Sequence, residues 1–185
     1  RLVSDWSSDV CSSDLLIFGR SRAPIQYRQA VKAMRKNDYA AAVKAMDGLI
    51  KQEAQEANHY RFRAELYRLW GKLPAARRDY ERMLEAARND PTRAVAYNGL
   101  AEVDLQAGKF AQARESARRA FELAPGEWVA AYNLGMIEDR LGDSAAVIAS
   151  LEEALKVKVP DARHRLLIQL YLLRAHQAQK NAQAA

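Results

Sequence analysis

The chain holds one cysteine, Cys11, with five prolines and eight glycines among its 185 residues. A single thiol closes no internal disulfide, so a disulfide-stapled scaffold is excluded. So little proline and glycine excludes collagen-like and low-complexity chains, and 49% hydrophobic content excludes a disordered tail. No apolar run approaches the ~20 residues that a membrane-crossing helix needs. Signals of chemistry are missing too: there is no phosphate-cradling glycine loop, nucleophile elbow or metal-ligand spacing. His59, His164 and His176 are far apart, and His59, near a helix start, reads as a surface group. Glu152 and Glu153 are adjacent on a helix and point apart, as a solvated face rather than an acid/base pair. A non-enzymatic protein without metal or cofactor is expected.

What remains is ordinary globular composition, enough for one domain with a core. Its first fifteen residues read differently from the rest. Asp5-Trp6-Ser7-Ser8-Asp9-Val10-Cys11-Ser12-Ser13-Asp14-Leu15 has no structural period and resembles the translation, in one frame, of a widely used short-read sequencing adapter. Residues 1–15 are therefore expected to be non-native and outside the fold. Residues 16–22 form a lead-in. Its Leu16-Ile17-Phe18 followed by Arg20 and Arg22 is also what the stub of a membrane anchor leaves. The formal charge is +6; the first fifteen residues carry −2, which leaves about +8 on the remainder.

That remainder repeats. The turn elements Asn37-Asp38-Tyr39, Gly71-Lys72-Leu73, Gly108-Lys109-Phe110 and Gly142-Asp143-Ser144 are spaced by 34, 37 and 34 residues. The same offsets connect the small residues Ala30, Ala64, Ala101 and Gly135, and again Leu49, Met83, Ala120 and Ala154. Apolar residues recur at helical spacing on both sides of each turn, as in Tyr97, Leu100, Ala101 and Leu105, then Ala113, Ala117, Ala120 and Phe121. No segment alternates as a strand does, so the class is all-α. Pro24 and Pro74 suit helix starts, Asp90 with Pro91 suits a capped start, and Pro125-Gly126 and Pro160 suit breaks. The turn glycines suit left-handed helix ends. The extra residues of the 37-residue offset predict a longer junction between Ala86 and Arg93.

These marks resemble the tetratricopeptide repeat family over about residues 23–159. The resemblance is carried by Tyr132-Asn133-Leu134-Gly135, Gly142 and Ala154-Leu155, and by Tyr97, Leu100-Ala101, Gly108-Lys109-Phe110, Ala113, Ala120 and Pro125. The first unit departs from it at Gln29 and Asn37; Val147, Asp104 and Glu138 replace residues usual elsewhere. It implies a right-handed α-solenoid of four helix-turn-helix units, 23–56, 57–93, 94–127 and 128–161. A terminal helix over 162–179 and a tail at 180–185 follow. That helix, with Leu166, Leu167, Ile168, Leu170, Leu172 and Leu173, is apolar enough to imply a continuing chain or a partner beyond it.

The resemblance also implies a site: first helices lining a concave groove. On this chain it implies Asn58, Arg61, Glu65 and Arg68, then Asn98 and Glu102 with Leu105 and Gln106, then Tyr132, Met136 and Asp139 with Arg140, and finally Arg163. Amides and arginines there would hold a peptide backbone and carboxylates, with Tyr132 and Met136 as apolar contacts. The lysines of the family's carboxylate clamp are absent, since the first groove helix offers Tyr27, Val31 and Met34. The expected function is a protein-interaction scaffold taking a peptide in its groove, in the cytoplasm or at the cytoplasmic face of a membrane. Arg61, Arg63, Arg68, Arg77, Arg78 and Arg82 raise single-stranded RNA as an alternative ligand. Glu65, Asp79, Glu81 and Glu85 interleave with them as in a solvated ion-pair face, which makes nucleic acid the less expected partner. An envelope-assembly factor whose leader lay upstream is the third alternative.

Overall fold

The computed structural model describes residues 24–184, so the proposed adapter segment and the whole of the lead-in lie outside the described residues. Among the described residues nine helices follow one another: α1 Ile25–Met34, α2 Tyr39–Gln52, α3 Ala57–Leu69, α4 Leu73–Ala86, α5 Asp90–Gln106, α6 Phe110–Leu123, α7 Trp128–Leu141, α8 Ser144–Lys156 and α9 Ala162–Ala184. No strand occurs among the described residues. Each helix packs chiefly on its sequence neighbours, giving four helix pairs and a terminal helix in a quasi-one-dimensional array.

The local signals work as the sequence indicates. Asn37, Gly71, Gly108 and Gly142, the four aligned turn positions, all have positive φ, between 58° and 77°. That conformation ends the first helix of each pair and turns the chain into the second. Asp38 and Asp143 cap α2 and α8 by accepting from the amides of Ala41 and Ala146 at 3.0 and 3.1 Å. The small residues sit where helices cross: Ala30, Ala64, Ala101, Ala42, Ala76 and Ala113 are fully buried. At Gly135 an added Cβ would lie 2.6 Å from Leu151 Cδ2.

Four expectations are corrected. The cap of α5 is Asn89, whose side chain accepts from Thr92 N at 2.8 Å; Asp90 is already helical. The extra residues between the second and third units do not lengthen the junction, because Asn89 with Pro91 starts the helix early. Only residues 87–89 separate α4 from α5, and α5 runs for 17 residues where α3 has 13. The first turn of α5 therefore falls inside the span 57–93 expected for the preceding unit. His59 is buried rather than on the surface, with Nε2 2.9 Å from Glu53 Oε2. The terminal helix continues to Ala184, and it covers the fourth unit with Ile168, Tyr171, Leu172 and Ala175, while Leu166, Leu170 and Leu173 stay exposed.

Candidate functional site

Successive first helices α3, α5, α7 and α9 approach one another along one side of the array, and polar side chains meet across each gap. Arg68 of α3 lies 3.5 Å from Glu102 of α5. Asn133 of α7 donates to Asn98 of α5 at 3.4 Å, and Arg174 of α9 lies 3.4 Å from Asp139 of α7. Between α3 and the starts of α5 and α7 is a cavity of about 270 Å³. Arg61, Glu65, Asn98 and Glu102 line it, with Val95, Val129 and Glu127. Tyr80 forms the floor, which exists because residue 99 is glycine; a Cβ there would sit 2.1 Å from the Tyr80 ring.

The electrostatics of that cavity are internal before they are external. Glu65 accepts from the Tyr80 hydroxyl and from Arg68 Nε and Nη2, the latter two at 3.0 and 2.7 Å. Arg68 is only 14% exposed and sits between Glu65 and Glu102. Burial works against its charge, but the two glutamates outweigh burial and raise its pKa. Glu102 is pushed up to about 7, first by burial and then by the neighbouring Glu65, with Arg68 and Arg61 opposing. Arg68 is thus held by its own chain, not presented to a ligand as expected.

Sequence placement of the remaining candidates divides them. Asn58 is half-buried, donating from Nδ2 to Glu56 at 3.1 Å, and Gln106, Arg140 and Arg163 are exposed. Tyr132 and Met136 are 5% and 4% exposed, so neither offers the apolar contact expected of it. His164 of α9 lies against Tyr132 and Trp128, with ring centroids 6.2 and 5.1 Å away. Burial, then Tyr171, pushes the Tyr132 hydroxyl up to about 12. The general reason is visible in register. In the first, second and fourth units the residues one after and four after the small crossing residue lie against the next unit's first helix, and in the first and fourth so does the residue three before it; Asn98, Glu102 and Leu105 of the third unit are only half-buried. Tyr27, Val31 and Met34 lie under Phe62 and Leu66, Glu65 and Arg68 under α5, and Tyr132 and Met136 under α9.

Three of the clustered arginines, Arg63, Arg68 and Arg77, are engaged by carboxylates, while Arg78 and Arg82 lie exposed beside the exposed Glu81 and Glu85, as a solvated face does. Arg63 grips Asp79 with Nε and Nη2, both at 2.7 Å, and reaches Asp47 with Nη1 at 2.6 Å. Arg77 pairs with the buried Asp104, and the buried Glu138 accepts from Ser150 Oγ at 2.7 Å. Sequence reasoning took Glu65 and Asp79 as solvated; their acidic neighbours gave no hint of depth. The signal was available at Asp104 and Glu138, acidic residues at a position expected to pack inward. Among the described residues no group of three or more His, Cys, Asp or Glu is placed to hold a metal ion. No helix there is long and apolar enough to cross a membrane.

This architecture has relatives. In the crystal structure of MamA protein, 81% of that chain matches 84% of this one at 20% identity and a TM-score of 0.67. The APC/C hetero-tetramer Cut9-Hcn1 matches 92% of this chain with 33% of its own, at 16% identity and a TM-score of 0.69. The TPR2B domain in its pHsp70 complex, from yeast Sti1, matches 65% of this chain with 96% of its own, at 20% identity and a TM-score of 0.59. These likenesses are of fold. No match is found among curated proteins. Two sequence models of the tetratricopeptide repeat match residues 55–126 and 98–163, spanning the cavity and the helix pairs on either side of it. With the repeating helix pairs, their left-handed turns and their small crossing residues, these matches show that the chain belongs to the tetratricopeptide repeat family.

Proposed function

We propose that the chain is a non-enzymatic interaction scaffold that binds an extended peptide segment along its first helices. The observation that carries this is the cavity of about 270 Å³ between α3, α5 and α7. A space of that size takes one long side chain, with the peptide backbone running over Asn58, Asn98, Gln106, Arg140 and Arg163. Its walls favour a basic side chain rather than the acidic peptide suggested by the arginines alone. Three carboxylates, Glu65, Glu102 and Glu127, line it with one arginine, Arg61, while Val95 and Val129 offer an apolar wall to a methylene stem. That one fold relative, the TPR2B domain, is solved in a complex with pHsp70 supports a protein partner.

The test begins with peptides selected from a phage-displayed random library against the whole chain. Val95→Trp fills the cavity from a half-buried position, and Glu81→Ala is an exposed control on α4. Enrichment of lysine or arginine is expected, with affinity at least about tenfold weaker for Val95→Trp, unchanged for Glu81→Ala, and melting retained. Peptides that bind Val95→Trp as tightly as the parent would move the site elsewhere.

A further inference from the structure

The exposed leucines of α9 are placed by the same register that buries their counterparts. Counting 34 residues on from Tyr132, Met136 and Asp139 gives Leu166, Leu170 and Leu173. In α1, α3 and α7 the residues at these places lie against the first helix of the next unit. On α9 they lie on the far side from the buried Ile168 and Ala175, and are 56%, 51% and 56% exposed. They form two turns of a stacking surface with no helix upon it among the described residues. It does not repeat the pairing of a first helix with its second. The small crossing residue is replaced here by the exposed Gln169, which bars that close approach.

Charge decides what fits. From Ala162 to Ala184 the helix carries Arg163, Arg165, Arg174 and Lys180 and no aspartate or glutamate. Arg174, 67% exposed, has Asp139 as its neighbour, and Arg165 donates to the Val159 carbonyl at 3.0 Å. A second copy docking α9 on α9 would set cations against cations. So would a second copy docking its other end, where α1 exposes Arg28 and Lys32 and the turn beyond it Lys36. We infer that α9 is a docking surface for an acidic amphipathic helix of a partner protein. That helix covers Leu166, Leu170 and Leu173 with apolar residues at i, i+4 and i+7, and sets carboxylates against Arg174 and Lys180. The surface is separate from the cavity lined by Asn98 and Glu102, and its occupancy does not depend on the peptide site.

The test uses the whole chain and a synthetic helix of about three heptads, with leucine at the apolar positions and glutamate flanking them. Saturable one-to-one binding by fluorescence anisotropy is expected. Binding should fall by about tenfold or more with Leu170→Asn or Arg174→Glu, and when the flanking glutamates of the probe are replaced by lysine. Val95→Trp should leave this binding unchanged, so failure here and failure of the cavity site are told apart. Leu170 is half exposed, so its variant should melt with the parent, and Leu173→Asn serves as a second variant. Probe binding that survives both leucine changes overturns the inference. So does a dimer in sedimentation that Leu170→Asn dissolves, or Leu170-dependent binding to phosphatidylserine vesicles without binding to the probe.

Discussion

Arg63→Met is the most decisive perturbation of the array, because one guanidinium joins three helices. Arg63 on α3 holds Asp79 of α4 in a two-pronged grip and Asp47 of α2 with its third nitrogen. Asp79 is 3% exposed, so removing its partner leaves a carboxylate that water does not reach. Breaking such a pair from one side costs ~3–5 kcal/mol. The arm to Asp47, a carboxylate with a 44% exposed side chain, adds under ~1 kcal/mol. Methionine keeps much of the packing of the arginine stem, which brings the expected loss to ~2–4 kcal/mol. For a chain of this size that corresponds to ~5–12 °C in melting temperature.

The location of the loss is as informative as its size. In a stacked array stability is close to a sum of unit and interface terms. Amide exchange should therefore quicken in α1 to α4 and stay near the parent rate in α7 and α8. Adding Asp79→Asn to Arg63→Met removes the stranded charge and should recover more than half of the loss, giving a coupling of ~2 kcal/mol in a double-mutant cycle. If Arg63→Met unfolds in urea within ~0.5 kcal/mol of the parent, the buried-pair reasoning is refuted.

Two further outcomes follow from the cavity floor and its carboxylates. Gly99→Ala drives a Cβ to 2.1 Å from the Tyr80 ring, so urea unfolding should show a loss of ~1–3 kcal/mol; Gly48→Ala, whose nearest contact is 3.9 Å from the flexible Gln26, should show no such loss. Glu102 rises on folding from its ordinary 4.5 to about 7. The folded protein thus holds a proton there that the unfolded chain releases, and this contribution to stability is lost as pH rises from 4.5 through 7. Melting across that range should show the decline, and Glu102→Gln should flatten it.

Periodic features were legible and one-off features were not. The turn positions could be aligned because each needs the left-handed conformation, and asparagine serves at Asn37 as glycine does elsewhere. The crossing alanines could be aligned because bulk there is excluded in every unit. The start of α5 was misplaced by one residue because Asn89 and Asp90 both suit a cap, and only the amide of Thr92 distinguishes them. The groove candidates came from a repeat pattern that assigns places, but depth depends on what the next helix lays over each place. Tyr132 disappears beneath His164, while Leu166, at the same place one unit on, has nothing over it among the described residues. Pairing was hidden for the same reason: Arg63 and Asp79 are 16 residues apart, on no common helical face until α3 and α4 fold together.

The covered places also explain how near-identical helices stack in one order. Between the first two units the contact is apolar, with Tyr27 and Met34 against Phe62 and Leu66. Between the second and third it is ionic, with Arg68 gripped by Glu65 and Glu102. Between the fourth unit and α9 it is aromatic and aliphatic, with Tyr132 and Met136 against His164 and Ile168. Exchange these contacts and the ionic pair between Arg68 and Glu102 is lost. Were α5 to dock on α1, Glu102 would lie against Tyr27, Val31 and Met34 without Arg68. Were α9 to dock on α3, Ile168 and Tyr171 would displace the carboxylate that holds Arg68. Either misalignment parts Arg68 from Glu102 and leaves Arg68 with Glu65 alone, whereas mispairing two apolar faces costs little. The ionic contact in the middle of the array therefore supplies order more than stability, and the leucine face of α9 can accept any helix that meets its shape and its positive rim.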